Sequence, residues 1–217
     1  MDDLSMMQRI AVWALPVIFA ITVHEVAHGW IALRLGDKTA MMLGRLTLNP
    51  VKHIDPVGTI LVPIAMLLLT GFIFGWAKPV PITWENLKNP KRDMALVALG
   101  GPLANLVMAL LWALVMKLGY VFLPGITWIA QPLIYMGGAG IFINIVLMIL
   151  NLIPVPPLDG SRVVASLLPN KLSWKYNRFE NYGILVLMLL FATGILGKII
   201  GPPIFGLQNL IFSMMGL

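Results

Sequence analysis

Residues 13–33 read WALPVIFAITVHEVAHGWIAL, an apolar run long enough to cross the ~30 Å hydrocarbon layer of a membrane. Its only ionisable side chains are His24, Glu25 and His28, gathered in the pentapeptide HEVAH. Such groups at membrane depth cost roughly 2.5–3.5 kcal/mol each. Three within five residues therefore call for a compensating partner. On a helix, His24 and His28 stand one turn apart on a single face. That is the spacing with which two imidazoles bind zinc, and the glutamate between them supplies a general base. The stretch predicts a membrane helix and metal-assisted hydrolysis together.

Composition supports the membrane half. The chain has 217 residues, 59% of them hydrophobic and only 11% charged, with a mean hydropathy of +0.90. A soluble domain carries about 25% charged residues. Apolar runs take up nearly all of the chain, which predicts a single domain over 1–217. No cysteine is present, which excludes disulfides, iron–sulfur clusters and cysteine nucleophiles. The net charge of +6 comes from residues in short connections between apolar runs, a pattern of membrane orientation. No nucleic-acid partner is expected. Asp2 and Asp3 precede the single Arg9 and no small-residue cleavage site follows, so the first run is not read as a cleavable signal.

Five apolar runs stand out, at about 13–33, 57–76, 95–116, 128–153 and 184–200. A sixth, 203–217, is short and is read as an interfacial tail. The connections hold the charge: Arg34, Lys38, Arg45 and Lys52 in the first, Lys78, Lys88, Lys91 and Arg92 in the second, and Arg162, Lys171, Lys175 and Arg178 before the fifth run. If all five runs cross, Lys and Arg divide nine to six between the two faces. If residues 57–76 (Val57 to Trp76) enter and return on one side, twelve of the fifteen share a face, and the positive-inside rule places that face in the cytoplasm. Pro56, Pro63, Gly71 and Gly75 suit a re-entrant segment buried against protein.

Two histidines do not complete a catalytic zinc site, which has three protein ligands and an open position. The candidates for the third are His53, in NPVKHIDP, and Asp159, in NLIPVPPLDG at the end of the fourth run. Pro154, Pro156 and Pro157 end the helix there, and Gly160 allows unusual backbone dihedrals. Asp159 meets the histidines only if the first and fourth runs finish on the same face. The re-entrant topology satisfies that condition.

HEVAH, GGPLAN (100–105) and NLIPVPPLDG (151–160), in this order and on apolar segments, resemble the site-2 protease family of intramembrane zinc metalloproteases. The likeness runs from the first helix to about Pro169. It implies His24, His28 and Asp159 as ligands of one zinc ion per chain and Glu25 as the catalytic base. Asn151 is implied to bind the substrate backbone or oxyanion, and Asn105 is a further candidate for that role. His53 stands as a weaker site candidate. The implied fold is an all-α membrane protein of about four spanning helices plus the re-entrant segment, with short extended segments at the cytoplasmic side. WAKPVPI (76–82) or residues 41–48 would offer an edge for strand addition by an unwound substrate. The catalytic core spans about 11–169, and a C-terminal helix and tail occupy 182–217. The resemblance is to a compact prokaryotic branch without PDZ or CBS domains. It implies an integral protein of a prokaryotic plasma membrane, with the active site toward the cytoplasm and transmembrane proteins or peptides as substrates.

Two other classes compete. A zinc transporter would string ligands along several helices, yet the apolar runs outside HEVAH hold no Asp, Glu or His. A non-catalytic relative that binds membrane proteins has all four catalytic positions against it. Substrate identity and oligomeric state are not encoded in any motif of the chain.

Overall fold

A computed structural model of the chain describes residues 4–62, 64, 65 and 75–217. The described residues form helices and connecting turns, with no strand among them. Four helices are long and apolar enough to cross a membrane: α1 (Met6–Arg34), α3 (Pro90–Phe122), α4 (Thr127–Asn151) and α8 (Ile195–Met215). Shorter ones are α2 (Thr39–Met42), α5 (Asp159–Leu167), α6 (Asn170–Asn177) and α7 (Glu180–Ala192).

Local chemistry sets the ends of these helices. Ser5 opens α1 with a reciprocal cap: its Oγ accepts from the Gln8 N–H at 3.3 Å, and Gln8 Oε1 accepts from the Ser5 N–H at 2.8 Å. Gly36 closes it at φ +117°, and a Cβ there would lie 2.9 Å from the Asn86 carbonyl oxygen. Glycine alone fits that position. Pro90 occupies the first turn of α3, where a missing N–H costs nothing, and Asp93 Oδ2 turns back to accept from the Asn89 N–H at 2.8 Å.

The long helices pack through small residues, as expected where lipid offers no hydrophobic driving force. Gly137 and Gly140 of α4 admit Met116 and Trp112 of α3 so closely that an added Cβ would collide with either. Around this seam Ala109, Trp112, Ala113, Ile141, Ile145, Ile204 and Ile211 form the main buried cluster, which joins α3, α4 and α8.

The path of the chain supports the re-entrant reading. The Lys88 N–H donates to the Leu35 carbonyl at 3.1 Å, so α3 begins where α1 ends. Within the intervening connection, the Trp76 N–H bonds to the Gly58 carbonyl at 3.0 Å and Thr59 Oγ1 donates to the Trp76 carbonyl at 2.9 Å. A helix spanning 57–76 would separate its ends by about 30 Å. Here they meet. Residues 63 and 66–74, within that segment, lie outside the described residues.

The C-terminal reading needs correction. The run 184–200 is not one helix: Gly194, at φ +71°, separates α7 from α8. The crossing helix is α8, which absorbs the supposed interfacial tail and carries Pro202 and Pro203 inside it. A left-handed glycine ends a helix, whereas proline removes a bond that the helix can continue past. At 13 residues, about 20 Å, α7 is too short to cross. Lys117, in the last third of α3, donates to the Met215 carbonyl at 2.7 Å. α8 therefore runs away from the face where α1 ends, and Lys198 near its start joins the charged face. The expected edge strands are also absent among the described residues. Residues 75–83 are irregular, and 41–48 hold the end of α2 and turns.

Candidate metal centre

His24 and His28 lie on the buried face of α1, each 7% exposed. Asp159 is the first residue of α5, directly after the proline-rich break that follows α4. Gly160 earns its place by space rather than by dihedral freedom. Its φ is not positive, but a Cβ on it would lie 2.2 Å from the Leu152 carbonyl oxygen. The missing side chain lets α5 close onto the end of α4 and delivers Asp159 to the histidines. His24 Nε2 is 3.2 Å from Asp159 Oδ2, His28 Nε2 is 3.3 Å from it, and the two Nε2 atoms are 3.0 Å apart.

The outer nitrogens decide what these atoms are. His24 Nδ1 is 2.5 Å from Asn105 Oδ1, and His28 Nδ1 is 2.7 Å from the Val97 carbonyl. Asn105 Nδ2 donates to the Ala20 carbonyl at 3.2 Å and to Asn144 Oδ1 at 2.9 Å, while Asn144 Nδ2 donates to the Gly140 carbonyl at 2.8 Å. This chain of acceptors fixes each amide's orientation. Both Nδ1 atoms therefore face acceptors and carry the proton, which leaves both Nε2 lone pairs pointing inward. Asp159 Oδ2 is buried and accepts no hydrogen bond. Three lone-pair atoms in mutual contact repel one another unless a cation sits among them. Donors ~2.0–2.1 Å from a tetrahedral ion are about 3.3 Å apart, close to what is found. Gly101 completes the cradle, since its Cβ would lie 2.5 Å from both Nε2 atoms. Among the described residues this is the one group of His, Asp or Glu with such geometry. The donor set fits a divalent zinc ion.

A cavity of about 170 Å³ opens beside the cluster, walled in part by Glu25, Val80, Asn151 and Arg162. Glu25 Oε2 accepts the Val80 N–H at 2.8 Å, and Oε1 has no hydrogen-bond partner among the described residues. Asn151 Nδ2 donates to the Leu147 carbonyl at 2.9 Å.

Two candidates fall outside this arrangement. Asn105 is fully buried and its carboxamide is entirely engaged, so no atom of it is free for a substrate. It holds His24 instead. His53 is buried in the turn after α2, where its Nε2 donates to the Thr47 carbonyl at 2.9 Å, and it does not border the cavity. Residues not named as site candidates also border it, Arg162 and Val80 among them. Arg162 stands one turn beyond Asp159, a spacing that could have marked it, and its guanidinium lies 5.5 Å over the Trp84 ring. Val80 acts through its backbone, which leaves no side-chain signal.

A helical membrane protein with two histidines and an aspartate converging beside a glutamate has the build of a membrane-embedded metalloprotease. The comparisons place it further. The profile of Peptidase family M50 matches residues 125–193. "Putative zinc metalloprotease YwhC" of Bacillus subtilis (strain 168) is 37% identical over 187 residues, which cover 86% of this chain and 82% of that protein. "Putative zinc metalloprotease Rip2" is 28% identical in Mycolicibacterium smegmatis, over 83% of this chain and 66% of the relative. The protein of that name in Mycobacterium tuberculosis (strain H37Rv) is 25% identical, over 92% and 72%. No solved structure matches. The chain belongs to Peptidase family M50, the site-2 proteases.

Proposed function

We propose that this chain is a zinc-dependent intramembrane endopeptidase that hydrolyses peptide bonds within or beside transmembrane segments of membrane proteins. The observation that carries the reading is the convergence of His24 Nε2, His28 Nε2 and Asp159 Oδ2, with both Nδ1 atoms turned to acceptors, on the wall of a cavity shared with Glu25. His24, His28 and Asp159 hold the ion. Zinc, when bound there, supplies Lewis-acid polarisation of a peptide carbonyl and of a water.

The protein's own groups account for the proton. Glu25 Oε1 takes it from a water in the cavity and passes it to the departing amide nitrogen. Asn151 keeps one amide hydrogen for the substrate carbonyl or the developing oxyanion. The substrate helix must unwind to expose its peptide bond. The charged connections, now joined by Lys198, support a site facing the cytoplasm of a prokaryotic plasma membrane. The bilayer and a transmembrane protein are the partners of this reading, and its setting is regulated intramembrane proteolysis.

The test is Glu25→Gln in purified, zinc-loaded protein with a transmembrane-peptide substrate. Cleavage should be lost while zinc is retained. Undiminished cleavage overturns the role of Glu25, and zinc transport into liposomes would favour a transporter.

A further inference from the structure

The irregular segment from Lys78 to Thr83 lines the cavity with Pro79, Val80 and Ile82. It is fastened at several places, beginning with the Lys78 N–H, which donates to the His53 carbonyl at 2.9 Å. Arg45 Nη2 donates to the Lys78 carbonyl at 2.9 Å and to the Pro79 carbonyl at 3.3 Å. The Val80 N–H reaches Glu25 Oε2 at 2.8 Å. The Thr83 N–H reaches Asp37 Oδ2 at 2.7 Å. The sequence of the segment, KPVPIT, gives the middle contact its meaning. Pro79 and Pro81 have no N–H, so Val80 provides the one backbone donor across residues 79–81. Both prolines also fix φ, which stiffens the segment around that donor.

Helix α1 is shaped to receive it. Gly29 stands one turn beyond Glu25, and a Cβ there would lie 2.8 Å from Val80 Cγ1 and 2.6 Å from Leu46 Cδ2. The valine side chain occupies the space that glycine leaves, and Val80 is buried. Side chain and N–H thus meet α1 on adjacent turns of one face. The carboxylate of Glu25 is held by one oxygen while the other stays free in the cavity.

We infer that residues 78–83 form a strap that positions the Glu25 carboxylate through the Val80 N–H, with Arg45 as the positioning residue that sets the strap's height. The inference rests on the protease reading for its catalytic half. Arg45 touches neither the cavity nor the ligand cluster and acts through two carbonyls immediately before Val80. A long carboxylate side chain left without this anchor samples several rotamers, and small misplacements of a catalytic group are costly in rate.

Two measurements on the full-length, zinc-loaded protein test it. The first is hydrogen exchange at Val80, which the flanking prolines isolate. Arg45→Met should speed it several-fold to about tenfold, the factor that accompanies one lost hydrogen bond, and Arg45→Lys should restore part of the protection. The second is cleavage of a transmembrane peptide. Arg45→Met should lower kcat by about 10- to 100-fold with KM and zinc content nearly unchanged, and Arg45→Lys should recover part of kcat. Should Arg45→Met fail to fold, Gly29→Ala lifts the same strap from the helix side and should give the same pattern. Unchanged exchange overturns the clamp. Faster exchange with unchanged kcat overturns its role in catalysis. Zinc-loaded wild-type protein that cleaves nothing overturns the protease reading and the catalytic half with it, and the exchange result then decides the clamp alone.

Discussion

Asn105 spends both ends of its carboxamide inside the protein, one on His24 of the candidate metal cluster and the other on α1 and α4. Asn105→Ala frees His24 Nδ1 to choose either tautomer and is expected to weaken zinc binding by about 10- to 100-fold. Competition with a chelator reads this, and equal affinity would reject it. Asp37 shows the same economy outside the membrane helices. It is buried, which pushes its carboxyl up. Hydrogen bonds from the Thr39 hydroxyl, the Asn86 amide and the Thr83 and Thr39 N–H groups outweigh that and hold it below the ordinary carboxylate range. Its charge therefore stabilises the fold above the unfolded carboxyl's pKa of about 3.9, and the gain is lost as pH falls through the lower folded value. In Asp37→Asn, the NH₂ faces a backbone donor whichever way it is turned. Thermal unfolding at neutral pH should register a loss of about 1–3 kcal/mol, narrowing in acid. The cluster of His24, His28 and Asp159 beside Glu25 had local signals in the sequence, helical spacing and a proline break, although the residues alone left His53 open beside Asp159. The work of Asn105, Arg45 and Arg162 was not legible there, since their partners lie far along the chain or in the backbone.

At the scale of elements, glycine positions set the distances between helices. Gly100 and Gly101 let α3 approach α1, with Cβ positions that would strike Ile31 and the imidazoles of His24 and His28. GGPLAN carried part of the family resemblance, and its second glycine borders the candidate metal cradle. Gly101→Ala is expected to abolish zinc uptake with the helical circular dichroism retained. Zinc bound at wild-type affinity would show that the cradle tolerates the methyl group. Hydropathy located α1, α3 and α4 closely. It misplaced the last crossing because a window average does not distinguish a left-handed Gly194 from a helical one, and because Pro202 and Pro203 resemble a boundary that the helix ignores.

For the molecule as a whole, topology is the property with the clearest test, and the absence of cysteine makes it clean. Single cysteines introduced at Lys88, Lys171 and Lys198 should react with an impermeant thiol reagent from one face, and one at Gly125 from the other. Position 198 discriminates, since five crossings would put it with Gly125. Labelling of 198 from the Gly125 side would overturn the assignment of α8.

The bond between Gly58 and Trp76 has one more consequence, for what this fold can lose. A stretch whose two ends already touch is closed like a purse, and it can be shortened without changing the distance between those ends. His24, Glu25, His28, Asp159 and residues 78–83 lie outside it. Joining residue 58 to residue 76 through a short glycine–serine bridge should therefore leave zinc affinity intact, because a tighter loop costs little entropy. Whatever such a shortened protein loses in turnover then measures the contribution of the removed residues to admitting or gripping a substrate, separately from the chemistry.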